Sequence, residues 1–287
     1  MNTPCQRISV IVLTFNRALE LQRTLEHLLS LPDPPAIVVM DNASTDATPV
    51  LVRQLFPQVT LISLSNNIGA AARNIGVQHV HTPYVAFCDD DSWWASGSLE
   101  RAVRLLDAHP LIAALCARIL VGPAEREDPM CRLMACSPLP SAHLPGPALL
   151  GFLACAAVFR RHAFLEAGGY EQKFFVGGEE SLLALDLVAR GWSLVYASQL
   201  TVHHYPSPQR DPGSRRHIML RNALWVAWLR LPIPVLLQET RRMLYATSDR
   251  RVRYAALLGA LREMPWVLRN RKVLPPEVTL LYERLVS

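Results

Sequence analysis

Four short apolar runs recur along the first ninety residues, and each stops at polar residues. They are Ile8-Ser9-Val10-Ile11-Val12-Leu13-Thr14, Ala36-Ile37-Val38-Val39-Met40, Val59-Thr60-Leu61-Ile62-Ser63 and Tyr84-Val85-Ala86-Phe87-Cys88. Near-continuous apolar runs of this kind predict strands buried on both faces. Between them the period changes. Ala18, Leu21, Leu25 and Leu28 are spaced for one face of a helix. A second helix is expected after Asp41-Asn42-Ala43-Ser44-Thr45-Asp46, with Thr45 or Asp46 as its cap, and a third runs to about Val80. Strands alternating with helices at this spacing specify an α/β fold with a doubly wound, mostly parallel sheet. The polar strand ends then collect on one edge, where open α/β sheets bind ligands.

The fourth run ends in Asp89-Asp90-Asp91. Three adjacent carboxylates repel one another unless something positive lies among them. A divalent cation, Mg²⁺ or Mn²⁺, is the natural partner, because an Asp-x-Asp can hold it while the ion also grips substrate phosphates. The plainer alternative is an acidic loop in which Asp91 or Ser92 caps the next helix. Further on, Gly168-Gly169-Tyr170 and Phe174-Phe175-Val176-Gly177-Gly178 are glycine-aromatic loops, suited to a sugar pocket or to ordinary turns. Glu179-Glu180 opens a helix, where acids also favour the first turn through the dipole. Leu200-Thr201-Val202-His203-His204 reads as a short strand whose alternation sends the two histidines to opposite faces.

These segments resemble family-2 glycosyltransferases of the GT-A fold over about residues 7 to 205, with the motifs in the family's order. The Thr14-Phe15-Asn16-Arg17 strand end, the Asp41-to-Asp46 turn, the Asn67-to-Asn74 segment, the Asp triplet and Gly177-to-Leu183 carry the likeness. The resemblance implies a Rossmann-like catalytic domain over 1–205 and a basic helical extension over 206–287. It also implies a nucleotide-diphosphate sugar donor and an inverting, cation-dependent transfer. Thr14, Phe15, Asn16 and Arg17 would lie beside the nucleotide. Asp41 would accept the base's ring N–H, and Asn67, Gly69 and Arg73 would follow the backbone and phosphates. Asp89 would approach the ribose and share the cation with Asp91 and His204, with His203 as rival to His204; Asp90 takes no definite role. Glu180 would be the general base, with Glu179 the alternative. The acceptor implied is a saccharide, lipid-linked or a soluble small molecule, as in cell-envelope glycan synthesis. A nucleotidyltransferase would usually show a glycine-rich phosphate loop near the first strand, and Leu13-to-Arg17 lacks glycine. A non-catalytic nucleotide-sugar binder would need no Glu179-Glu180 pair.

Charge changes the picture of the C-terminal part. The formal net charge of +5 hides an asymmetry: residues 206–287 hold 15 Lys and Arg against 6 Asp and Glu, and residues 1–205 hold 14 against 18. Arg215, Arg216, Arg221 and Arg230 flank Trp225 and Trp228 in an expected helix over 214–232. Two readings stand side by side: a helix lying on an anionic membrane, or a helix packed on the catalytic domain with its arginines solvated. Nucleic acid is the less specific partner for such a segment, and Arg221-Asn222 is read alternatively as reaching the acceptor. Arg269-Asn270-Arg271-Lys272 reads as a solvated turn, Pro206-to-Gly213 as a linker or active-site loop, and Gly122-to-Pro147 as a loop bordering the acceptor side. Six cysteines without CxxC spacing suit a reducing compartment. No uncharged apolar run reaches the roughly 18 to 20 residues of a membrane span. The expected location is cytoplasmic, or peripheral on the inner face of the cell membrane.

Overall fold

The computed structural model describes residues 4–207 and 215–286. Residues 208–213 of the expected linker, and Ser214 of the expected helix, lie outside these. The first half follows the hydrophobic pattern closely: β1 (Ile8–Thr14), α1 (Ala18–Leu29), β2 (Ala36–Asp41), α2 (Thr48–Leu55), β3 (Thr60–Ser63), α3 (Ala72–His79) and β4 (Tyr84–Asp89). Leu21, Leu25 and Leu28 of α1 are fully buried, as their spacing requires. Asp46 accepts the Thr48 N–H at 3.0 Å and so caps the start of α2.

Then come β5 (Ser92–Trp94), α4 (Ser98–Ala108), β6 (Ile112–Val121), β7 (Arg126–Glu127), α5 (Pro129–Ala135), β8 (Ala148–Leu149), β9 (Ala157–Arg160), α6 (Arg161–Glu166), α7 (Glu179–Ala189) and β10 (Ser193–His204). All ten strands join one sheet in the order β3-β2-β1-β4-β9-β6-β10-β5, with β7 on β6 and β8 on β10. The β3-β2-β1-β4 half is parallel, as expected. Beyond β4 the sheet is mixed: β9 runs antiparallel to both of its neighbours, and parallel pairing returns only between β6 and β10. Asp91 and Ser92 cap no helix, because β5 follows them directly and pairs antiparallel with β10.

Register places the polar strand ends together. Thr14 pairs with Asp41, Leu13 with Asp89, Asp41 with Ser63, and Ser92 with His204. The strand ending in the histidines is longer than expected, because a register shift between Ala197 and Thr201 lets β10 continue through what reads as a turn.

The C-terminal part is helical: α8 (Arg216–Arg230), α9 (Ile233–Ala246), α10 (Arg250–Arg262), α11 (Met264–Asn270) and α12 (Pro276–Val286). It corrects the membrane reading of the 214–232 helix. Trp225 and Trp228 are buried, with 2% and 7% exposure. Their indole N–H groups donate to Ala260 O at 3.3 Å and Thr240 Oγ1 at 2.9 Å. Side chains already spent on a protein core cannot anchor in lipid, so packing wins for this helix. Its arginines are not all solvated either. Arg230 is buried and forks onto Asp186 of α7, with Nη2 to Oδ2 at 2.8 Å. The Arg269-to-Lys272 turn is likewise more than a solvated turn: Arg271 donates to the Trp228 and Leu231 carbonyls that α8 leaves unpaired at its end.

Helix α7 buries apolar residues on two sides because it joins two cores. Leu183, Ala184 and Leu187 belong to the core of the sheet domain. Leu182 and Leu185 belong to a second core with Leu224, Trp225, Leu229 and Val267.

Candidate active site

The Asp triplet sits where β4 ends, and its members face different partners. The Asp89 carboxylate pairs with Arg73. Arg73 is buried against it, with its guanidinium 5.6 Å from the Phe87 ring centre. Burial opposes that charge most strongly, but Asp89 together with Tyr170, Glu180 and Glu179 outweighs it, so the Arg73 pKa is raised. Arg73 is therefore a buried partner of Asp89 in this structure rather than an open arm. Its sequence position inside an amphipathic helix gave no sign of that.

Asp90 and Asp91 point the other way, toward Arg17. Arg17 Nη1 is 3.6 Å from Asp91 Oδ2, and Nε is 3.9 Å from Asp90 Oδ1. Burial, followed by repulsion from Asp91, raises the Asp90 pKa to about 8 against the pull of Arg17. The histidines diverge as alternation requires. His203 Nδ1 meets Glu125 Oε1 at 3.3 Å, and its ring stacks 5.7 Å from Trp93. His204 turns inward, with Nε2 3.4 Å from Asp91 Oδ1. That Nε2 is buried and lacks a hydrogen bond. A carboxylate oxygen beside an unsatisfied imidazole nitrogen is a donor pair suited to a divalent cation. Among the described residues no cluster of three or more such ligands stands ready.

The strand ends beside them are held by side chain to backbone bonds. Asp41 is buried and accepts the Ser44 N–H at 2.9 Å. Asn16 receives the Thr45 N–H at 2.7 Å, and its own N–H donates to Ser44 Oγ at 2.8 Å. Thr14 is buried, whereas Phe15 is 42% exposed. Asn67 accepts from the Gly69 N–H at 3.0 Å. Gly69 has φ +66°, and a Cβ there would lie 1.9 Å from the Phe175 carbonyl oxygen. The close approach that Gly69 permits is thus to the loop before α7.

That loop carries the acid pair. Glu179 is buried beneath the helix start, close to backbone N–H groups of its own turn. Glu180 lines a cavity of about 230 Å³ that also exposes Asp89, His204, Ile119, Met130 and Leu153. Its Oε1 accepts the Ala154 N–H at 2.6 Å. Burial, followed by the neighbouring Glu179, lifts the Glu180 pKa to about 8 even though the cavity leaves it partly exposed. Gly168-Gly169-Tyr170, by contrast, is a core turn: Asn74 bonds both the N–H and the carbonyl of Tyr170, which is buried.

Asn222, read with Arg221 as reaching the acceptor, takes a different place in this frame. Asn222 of α8 is fully buried and aims its amide nitrogen at the carbonyls of Phe174, Val176 and Gly177, at 2.9, 3.0 and 2.6 Å. Phe175 between them has φ +62°, and the Val176 N–H closes a γ-turn onto Phe174 O at 2.7 Å. That conformation is strained by about 1–3 kcal/mol, so the loop must be held from both sides. Ala70 N–H, donating to Phe175 O at 2.8 Å, holds it from the other. Asn222→Ala strands buried carbonyls and should lower stability by about 1–3 kcal/mol in urea titration. A loss under half of that would show that the loop holds itself.

Comparison with known proteins bears on the family and the fold. The family model described as glycosyl transferase family 2 matches residues 9–168. An N-acetylglucosaminyl-diphospho-decaprenol L-rhamnosyltransferase of Mycobacterium tuberculosis (strain ATCC 25618 / H37Rv) is 26% identical over 243 residues, 72% of this chain and 79% of that one. Among solved structures, S. aureus TarS 1-349 in complex with UDP-GlcNAc superposes with TM-score 0.66 at 16% identity, over 96% of this chain and 83% of that one. Mannosyltransferase PcManGT from Pyrobaculum calidifontis, in complex with GDP-Man and Mn²⁺, gives 0.61 at 21%, over 98% and 85%.

Proposed function

The chain belongs to glycosyl transferase family 2, and from that premise we propose that it is an inverting, cation-assisted enzyme that moves a sugar from a nucleotide-diphosphate donor to a hydroxyl of a lipid-linked saccharide. The nucleotide lies across the ends of β1, β2 and β4, between Asp41 and Asp89. Asp91 and His204 would be the residues that hold the cation. When bound, the cation offsets charge on the departing diphosphate. Arg17, beside Asp90 and Asp91, adds a fixed positive charge to the same region.

The observation that carries the reading is one cavity shared by Asp89, His204 and Glu180. Donor handling and an acceptor-side base need such a common space. Glu180 takes the proton of the acceptor hydroxyl as that oxygen attacks the anomeric carbon, and the diphosphate leaves from the opposite face. Glu179 supports the helix start. Asn222 positions the loop, so Asn222→Ala should lower kcat and leave donor affinity near wild type. The apolar side of the cavity, Ile119, Met130 and Leu153, suits the methyl of a 6-deoxyhexose, in keeping with the rhamnosyl donor that the mycobacterial relative's name implies. The same name supports a polyprenyl diphosphate-linked acceptor, which would bring the enzyme to a membrane surface. Among the described residues no helix is long and apolar enough to cross a membrane.

Calorimetry of a nucleoside diphosphate with and without Mn²⁺ tests the cation assignment. Asp91→Asn should bind the diphosphate at least tenfold more weakly in Mn²⁺ and be indifferent to the ion's removal. Equal Mn²⁺ dependence in variant and wild type would take Asp91 out of the cation site.

A further inference from the structure

We propose that the outward faces of α9 and α10 are each docking faces for an anionic lipid bilayer. This deepens the lipid-linked-acceptor reading by naming the contact surface, and it lies on helices other than α8, whose tryptophans are buried.

The two helices are amphipathic with the unusual feature that their solvent side is also apolar. In α10, Tyr254 (72% exposed), Leu258 (39%) and Leu261 (48%) follow one another at i, i+4 and i+7. At 100° per residue these three and the exposed Arg250, Arg251 and Arg262 fall within one sector of about 120°. The opposite side, including Ala256 and Ala260, packs inward. In α9, Ile233 (66%), Leu237 (62%) and Tyr245 (73%) sit at i, i+4 and i+12. Arg241 fills the i+8 place and stacks 5.5 Å over the Tyr245 ring. Such exposed apolar stripes mark contact sites rather than solvated faces.

Charge selects the occupant. None of the exposed residues of α9 or α10 is acidic. Glu239 of α9 is buried and spent on Arg242 and Tyr282. Asp249 caps α10 through the Arg251 N–H at 2.8 Å. A second copy meeting this face through a two-fold axis would set arginine against arginine, because such an interface is self-complementary. An anionic bilayer instead satisfies both features. Arginines reach the headgroups, tyrosines sit at the interface, and leucines enter the acyl boundary.

Flotation of the full-length protein with vesicles of phosphatidylglycerol and phosphatidylcholine tests this, compared with phosphatidylcholine alone. The vesicles contain no acceptor, so binding is read independently of sugar transfer. Wild type should float with the anionic vesicles at low salt and less so at high salt. Arg251→Gln/Arg262→Gln should bind about ten- to thirtyfold more weakly, at roughly 1 kcal/mol per basic residue. Tyr254→Ser/Leu258→Ser should weaken binding comparably, while transfer to a water-soluble acceptor stays unchanged. Arg104→Gln, exposed on α4, should bind like wild type. Wild type left in the soluble fraction, or equal loss in Arg104→Gln, overturns the proposal. So does an oligomer in light scattering that the Tyr254→Ser/Leu258→Ser variant dissolves, since a second copy would then own the face. Intact vesicle binding with no transfer to a lipid-linked saccharide would leave the surface standing and remove only the acceptor assignment.

Discussion

Glu180→Gln should bind nucleotide sugar with near wild-type affinity and transfer it about 10²- to 10⁴-fold more slowly. Gln keeps the shape and can still accept the Ala154 N–H that now reaches Oε1 at 2.6 Å, but it cannot take a proton. Glu179→Gln should be far milder in rate, because its carboxyl is buried under the helix start rather than open to the cavity. If Glu179→Gln is the crippled variant, the roles are reversed. A pH profile provides a second readout. With the Glu180 pKa raised to about 8, the basic form is the minor one at neutral pH, so kcat/KM should climb through pH 8 and level off above it. The same shift has a stability consequence of opposite sense. Between the ordinary value of 4.5 and about 8, the folded state holds this proton more tightly than the unfolded chain does. Glu180 therefore costs stability progressively as pH rises across that window. Glu180→Gln should lessen this slope and leave the share that Asp90, also raised to about 8, contributes, and chemical denaturation at several pH values between 5 and 9 would show it.

Trp225→Ala should cost about 3–5 kcal/mol of stability, in the range for deleting a large core aromatic. Its ring meets Phe174 and Trp266 edge-on, with centres 5.7 and 5.4 Å away, and Arg221 lies 4.3 Å over it. Phe174 opens the loop that leads into Glu179 and Glu180, so the cavity should slacken even where the fold survives, and residual activity should fall with stability. Urea unfolding followed by tryptophan fluorescence and by far-UV circular dichroism measures it. An interfacial anchor would behave oppositely, with little loss of stability and loss of vesicle binding.

The first half of the fold was legible because β1, β2 and β4 are buried on both faces and its helices on one, so hydrophobicity alone sets their period. The parallel order β3-β2-β1-β4 follows from that. The mixed half beyond β4 was not, because β8 and β9 are short and take their direction from distant partners. At the site, the strand-end residues Thr14, Asp41 and Asp89 were visible since register brings strand ends together. The choice between His203 and His204 was not, until pairing of β10 with β5 set His204 against Asp91. Arg73 and Trp225 misled for the same reason: a charged or aromatic residue looks alike in sequence whether it faces solvent or is matched inside. The sequence pointed Asn222 toward the acceptor rather than the loop, and the Ala154 N–H carries no signal at all, since both matter through which groups of other segments they meet.

Central to this account is a single displacement at the anomeric carbon with Glu180 as base. Transfer of a sugar labelled with ¹³C at the anomeric carbon, followed by NMR of the product, tests it most directly. The account predicts a product whose anomeric configuration is opposite to that of the donor, formed by wild type and almost absent with Glu180→Gln. A product of retained configuration, or equal product from both proteins, would contradict it.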